Sequence, residues 1–248
     1  MKIYNFEVAD RCLFWNGKKI LIAGDLHLGY EESLNFLGSS VLRNQLNETI
    51  VIFKSIFKKI GKVKKIILLG DVKHYFKGIL KQEYEDFEKI IFLFRKNMTK
   101  NGKIIITKGN HDNVLEPIAK KYNDVFLFEN YSIEDVLFLH GNKRSIEKSR
   151  ERITDKKIKK IVLGHFNPAY TVEDVRGIKK EKYKCFLYGK SKKYGKKTVF
   201  VPSFFPIAEG KDIMEKEKIY EKKMNIVCID EFGNSYCFKD TKLKKPKN

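Results

Sequence analysis

The sequence predicts one α/β domain in which helices cover a two-part sheet. Three observations lead there. Five apolar runs with a β-branched bias, at 19–23, 65–69, 103–108, 136–139 and 160–163, each have about the length of a buried strand. Two longer segments of helical period separate the first three runs. Four short, turn-separated apolar runs follow in the last third of the chain.

Residues 3–8 and 12–15 read as short strands ahead of the first long run. Segment 41–60 carries Leu42, Leu46, Ile50, Phe53, Phe57 and Ile60 at helical spacing. Segment 82–101 repeats the pattern with Tyr84, Phe87, Ile90, Ile91 and Phe94, and Gly102 follows as a stop. Strand–helix–strand–helix–strand thus spans 19–108, with crossovers long enough for parallel strands. Runs 184–188, 198–201, 226–229 and 235–238 suit an antiparallel sheet. No linker rich in Pro, Gly or Ser divides the chain, so the domain is expected over 1–238, with a loose basic tail at 239–248.

The 248 residues are 42% hydrophobic and 13% aromatic, ample for a packed core. The start lacks the apolar core of a signal peptide, and no apolar run approaches the ~18–20 residues of a membrane span. No membrane association is expected. Cys12, Cys185, Cys228 and Cys237 form no CxxC pair. They fit buried thiols in a reducing cytoplasm and make thiolate ligation of a metal a poor expectation. Net charge is +20, and residues 143–197 alone hold 19 Lys/Arg against 6 Asp/Glu. Such a balance attracts polyanions, so nucleic acid is an expected partner; a solvated Lys-rich surface gives the same composition.

The chemistry sits where the long runs end. Gly24-Asp25-Leu26-His27, Gly70-Asp71-Val72-Lys73-His74, Gly109-Asn110-His111-Asp112, His140-Gly141 and Gly164-His165 hold all five histidines of the chain. In open α/β sheets ligands bind at the carboxyl ends of strands. Five such ends bearing His, Asp and Asn can therefore converge on one metal site. Asp25 and His27, two residues apart, would share one face of a strand, and such a pair suits Mn, Fe, Zn or Ni. Taken singly the signals are open: Asp71 also fits a helix cap or turn, and His140 and His165 also fit a core or loop. Gly109–Asp112 is sharper, because a plain turn needs only Gly and Asn. Their joint occurrence outweighs the separate readings.

In this order, DxH, GD, GNHD, HG and GH resemble the motifs of the calcineurin-like metallophosphoesterase superfamily. The text at 23–31, 70–74, 164–169 and 201–210 is similar to the SbcD-related phosphoesterases of archaea and their bacterial relatives, and the resemblance runs from about 19 to 210. It implies a single-domain α/β/β/α sandwich with mixed sheets and a two-metal centre. Asp25 and His27 would hold metal 1, Asp71 would bridge, and Asn110, His140 and His165 would complete metal 2. His111 would stabilise developing charge or protonate the leaving oxygen, with Asp112 as a supporting partner. The ions would be two divalent metals, Mn²⁺ first, with Ni²⁺, Fe²⁺ or Zn²⁺ as alternatives.

One departure matters. The superfamily usually ends its last motif Gly-His-x-His, with the second histidine on metal 1; here that position is Asn167. An amide oxygen ligates a hard ion such as Mn²⁺ more weakly than imidazole does. Metal site 1 is therefore expected to be oxygen-rich and filled only at elevated Mn²⁺; the same departure admits a one-metal protein with little catalysis. His74 stands where many relatives carry an acid, as a phosphate contact, a neighbour of the ligands or a surface histidine. Arg43, opening the first helix, is a phosphate contact or a helix-surface arginine.

Two cations ~3.5–4 Å apart stabilise attacking and leaving oxygens together. The reaction the resemblance implies is in-line attack of a metal-bridging hydroxide on phosphorus. The leading expectation is a phosphodiesterase, a nuclease given the charge. The alternatives are a catalytically weakened nucleic-acid-binding module and a small-molecule phosphatase or cyclic-nucleotide phosphodiesterase. Relatives work with DNA-repair proteins, the expected protein partner; the oligomeric state is left open.

Overall fold

The computed structural model describes residues 1–173, 180–213 and 224–238. Its first sheet follows chain order: β1 (Lys2–Ile3), β2 (Phe6–Ala9), β3 (Cys12–Trp15), β4 (Ile20–Ala23), β5 (Val63–Leu68), β6 (Met98–Thr107) and β7 (Val125–Phe128). Tight turns make β1–β4 antiparallel. From β4 onward the strands are parallel, because helices carry the chain back each time. These are α1 (Tyr30–Phe36) and α2 (Gln45–Ile60) before β5, α3 (Lys81–Lys96) before β6 and α4 (Glu116–Ala119) before β7.

The second sheet is mixed. β8 (Tyr131–Ile133) and β9 (Val136–Leu139) form a hairpin, and α5 (Lys143–Lys148) and α6 (Arg150–Thr154) lead to β10 (Lys160–Leu163), parallel to β9. Next come β11 (Pro168–Glu173), β12 (Lys180–Lys190) and β13 (Lys197–Phe200), then β14 (Lys211–Asp212), β15 (Asn225–Ile229) and β16 (Ser235–Phe238). The spatial order is β14-β11-β12-β13-β10-β9-β8, and β15, bearing β16, also pairs with β12.

Alternation along the strands builds the layers. Leu21, Ala23, Ile66 and Leu68 face α2 and α3, meeting Phe53, Phe57, Phe87 and Phe94. Their alternates Ile20, Ile22, Ile67 and Leu69 face Val136, Phe138, Val162 and Val199 of the second sheet. Leu137, Leu139, Ile161 and Leu163 turn to the far side, where Ile153 of α6 covers them. Both sheets are thus buried on both faces, which is why their strands read as unbroken apolar runs. Each buried Val, Leu, Ile or Phe among them contributes roughly 1.5–3 kcal/mol. The result is the expected α/β/β/α layering.

Several boundaries differ from expectation. The second helix stops at Lys96, not 101; the Asn97 side chain donates to Leu93 O at 2.9 Å, and Met98 already pairs with Val63. Pairing with β5 outweighs local helical period there, and Gly102 lies inside β6. The helix expected over 41–60 is α2, which begins at Gln45, so Arg43 precedes it. Run 3–8 is split by a turn at Tyr4, held at φ 53°. β13 is antiparallel to β12 but parallel to β10, so the last strands are not purely antiparallel. The tail expected at 239–248 lies outside the described residues.

Candidate metal centre

Each of the five strands formed by the apolar runs delivers its motif just past its carboxyl end. β4 leads to Asp25 and His27, β5 to Asp71, β6 to Asn110 and His111, β9 to His140 and β10 to His165. Asp25 and His27 do not extend a strand, as their spacing suggested. The Leu26 and His27 amides both donate to Asp71 O, at 3.1 and 2.9 Å, so the chain bends over the neighbouring strand end. His27, Asp71, His165 and Asn167 all have φ between 47° and 63°. Left-handed backbone costs a non-glycine residue about 1–2 kcal/mol, so this centre is held in place by its surroundings.

The donor atoms converge. Asp71 Oδ2 lies 3.3 Å from His140 Nε2 and 3.9 Å from His27 Nε2, so one carboxylate faces two imidazoles. Asp25 Oδ2 is 3.9 Å from His27 Nε2. Asn110 Oδ1 is 3.2 Å from His140 Nε2. Two sets, Asp25 with His27 and Asp71, and Asp71 with His140 and His165, each bring their ligand atoms within 4.8 Å of one another. Close approach depends on glycine: a Cβ at Gly70 would lie 2.6 Å from His140 Nδ1, and one at Gly109 would lie 2.1 Å from Asp71 Oδ1.

Electrostatics ready Asp71, His27 and His165 as donors, whereas His140 keeps a proton that a bound metal ion would displace. Burial opposes charge on Asp71, but its hydrogen bond to His140, the charges of His140 and His27 and the His111 amide hold it well below the usual carboxylate range. It is a full carboxylate at neutral pH. Burial, then the charge of His140, lowers His165 to about 4; burial also lowers His27. Both offer lone pairs at neutral pH. Burial works against a charge on His140, yet the hydrogen bond to Asp71, the Asp25 and Asp71 carboxylates and Leu69 O raise it to about 9. Its Nδ1 meets Leu69 O at 2.6 Å, which directs Nε2 toward Asp71 and Asn110.

Asn167 sits beside Asp25, donating from Nδ2 to Oδ2 at 3.0 Å. Its Oδ1 is buried with no hydrogen-bond partner among the described residues. A buried acceptor left unmet costs about 1–3 kcal/mol, which a cation would relieve. The donor set of carboxylates, imidazoles and amide oxygens, with no thiolate, fits two divalent ions.

The other expected residues are placed as follows. His111 Nδ1 hydrogen-bonds to His74 O, and its ring lies 4.9 Å from that of His27. His74 joins the cluster, with Nδ1 3.2 Å from His27 Nδ1. Asp112 lies behind the centre, where Val72 N and Gly109 N each donate to it at 2.9 Å. Burial and then Asp71 push it up to about 6. Its carboxylate ties two motif loops together and is engaged by amides rather than open to a substrate. Arg43 pairs with Glu32 at 3.7 Å and Glu85 at 4.0 Å, which occupies the guanidinium with carboxylates.

The basic run divides. Lys190, Lys197 and Lys160 share a register at the amino ends of β13 and β10, opposite the motif ends. Those lysines lie away from the centre. Lys184 is coupled to the centre: half-buried, it donates from Nζ to Ser203 O at 2.9 Å and to Phe205 O. Ser203 Oγ and Phe205 N in turn donate to Asp25 O, at 3.1 and 2.9 Å.

Sequence reasoning missed this prop, and it missed two at helix starts. Gln45 Nε2 donates to Leu26 O and His27 O at 3.0 and 2.8 Å. Glu83 accepts from His74 N at 2.9 Å, Tyr75 N and Leu80 N. An acid in the first turn of α3 was the one legible signal.

The model of the calcineurin-like phosphoesterase family matches residues 18–222. Comparison with curated proteins gives no match. Among solved structures, the nuclease MPE of Pseudomonas putida aligns with a TM-score of 0.60 at 15% identity, over 93% of each chain. That likeness is one of fold. AQ665 of Aquifex aeolicus, a protein of unknown function, covers 59% of this chain and 77% of its own at 18% identity and TM-score 0.41. Zinc-bound Vps29 of Entamoeba histolytica covers 88% and 96% at 13% identity and TM-score 0.37. With the family match spanning most of its length, the chain belongs to the calcineurin-like phosphoesterases and is a metal-dependent hydrolase of phosphoesters.

Proposed function

We propose that the chain is a two-metal phosphodiesterase acting on nucleic acid, a nuclease of the SbcD-related branch that works with Mn²⁺. The observation that carries the two-metal reading is Asp71 Oδ2, set between His27 Nε2 and His140 Nε2. A carboxylate between two donor sets is the arrangement a pair of cations needs to sit close together. Asp25, His27, Asp71 and Asn167 would hold one ion; Asp71, Asn110, His140 and His165 would hold the other. When bound, the ions supply Lewis acidity and an activated water nucleophile near neutral pH. His111, its Nδ1 donating to the His74 carbonyl, has Nε2 left for the substrate, and in its doubly protonated form would stabilise charge on a phosphate oxygen or give that proton to the leaving oxygen. Net charge of +20, text similar to SbcD-related enzymes and a fold like that of a nuclease favour nucleic acid over small esters.

The test is hydrolysis of bis-p-nitrophenyl phosphate beside p-nitrophenyl phosphate by chelator-stripped protein with added Mn²⁺. The diester is cleaved preferentially, and Asp71→Ala and His111→Ala abolish cleavage. Equal cleavage without metal, or a preference for the monoester, defeats the proposal. Three oxygen ligands against one imidazole make the Asn167 site the weaker of the two. Calorimetry therefore shows a tight and a weak Mn²⁺ site, and Asn167→His tightens the weak one; two equally tight sites in both proteins contradict this.

A further inference from the structure

Aromatic side chains crowd one side of the histidine cluster. Tyr30 lies edge-on to His74, centroids 4.8 Å apart, and to Phe205 at 4.9 Å. Phe205 meets His27 at 5.8 Å. Further out, Phe76 lies edge-on to His111 at 5.2 Å while remaining 53% exposed. Beside it, Tyr75 meets Phe36 at 5.7 Å, and Phe36 is 66% exposed. Leu37 and Leu42, on the loop after Phe36, are exposed as well. That loop is closed by Asn35, whose side chain accepts from Val41 N at 2.7 Å and donates to Val41 O at 3.0 Å. Phe36 and Leu37 are therefore held in water by local structure.

Apolar surface maintained beside a functional centre marks a binding site. Its occupant must bring an apolar, flat group within reach of His111 together with the phosphate that the centre takes. A paired duplex turns its phosphates outward and hides its base faces; an unpaired nucleotide offers both at once. Building on the phosphodiesterase reading, we propose that Phe76, with Tyr75 and Phe36 beside it, stacks an unpaired nucleobase next to the scissile phosphate. The base would lie against the exposed face of Phe76 while His111, in contact with the same ring, meets the phosphate. Stacking on an aromatic ring accepts any base, so this subsite selects for unpaired structure and not for sequence.

The test uses two phosphorothioate single strands of equal length and charge, one with bases and one abasic, bound to the full chain in Mn²⁺ and followed by fluorescence anisotropy. Wild type binds the base-bearing strand roughly tenfold tighter. Phe76→Ala removes most of that ratio, Phe76→Trp keeps it, and Phe92→Ala, exposed on α3, keeps it too. A ratio near one in wild type, or a ratio that survives Phe76→Ala, overturns the subsite. Self-association of the chain that Phe76→Ala abolishes also overturns it, assigning the patch to a second copy. Cleavage of ordinary phosphodiester strands is measured alongside. Cleavage with no base preference defeats the subsite and spares the phosphodiesterase; base preference lost in Phe76→Ala, with no cleavage, does the reverse.

Discussion

Replacing Gly70 with alanine probes the packing that aims the metal ligands. Gly70 has φ +84°, and an added methyl would lie 2.6 Å from His140 Nδ1 and 2.7 Å from Gly109 N. Ordinary carbon contacts lie near 3.5–4.0 Å, so the imidazole must retreat by about an ångström. That breaks its 2.6 Å bond to Leu69 O. An unmet buried carbonyl costs about 1–3 kcal/mol, and left-handed backbone adds about 1–2 kcal/mol. The sum, about 2–5 kcal/mol, lowers Tm by roughly 4–20 °C for a chain of this size. Loss of the bond that orients His140 weakens metal binding roughly 10–100-fold. Thermal unfolding of chelator-treated protein and calorimetric titration with Mn²⁺ read the two effects separately. Gly38→Ala is the control: φ is +96°, but nothing lies within 4 Å of its Cβ, so only the backbone term applies. If the two variants behave alike in both assays, the contact argument is wrong.

Two further outcomes follow from ionisable groups outside the ligand set. Lys184→Met leaves the Ser203 and Phe205 carbonyls unmet, each at about 1–3 kcal/mol, and loosens the loop that holds Asp25 O. Mn²⁺ affinity and unfolding temperature fall together, and a variant with normal affinity would show that the prop does not reach the centre. Burial pushes Asp86 up to about 6 from an ordinary value of 3.8, and its Oδ2 has no hydrogen-bond partner among the described residues. The folded state therefore holds a proton that the unfolded chain releases, so Asp86 favours folding below pH 4 and loses that contribution as pH rises through about 6. Asp86→Asn removes the effect: its stability relative to wild type, from urea unfolding, grows between about pH 4 and 6.5 and then levels, by up to ~3 kcal/mol. A difference independent of pH contradicts the assignment.

Much of the fold and the centre was legible because both rest on local pattern. The runs at 65–69 and 160–163 are continuous because the strands are buried on two faces, and each ends in a motif whose glycine lets the next residues pack closely. What escaped depends on distant partners. Seven-residue α1 and the four-residue α4 are too short to display a period. The helical period of 82–101 overruns α3 because Met98 is apolar in phase, and only pairing with Val63 makes it a strand. Lys184 read as one more lysine in a basic run, since its carbonyl partners lie 19 and 21 residues away. Phe76 and Phe36 carried no signal, because a sequence does not say which aromatic residues stay in water.

The central claim is that Asp71 stands between two cations. Anomalous diffraction from crystals grown in Mn²⁺ tests it directly. The account predicts two peaks about 3.5–4 Å apart on either side of Asp71 Oδ2, one near His27 and the other near His140 and His165. Asn167 Oδ1 would meet the peak on the His27 side. A single peak at saturating Mn²⁺, or a pair that Asp71 does not bridge, would contradict it.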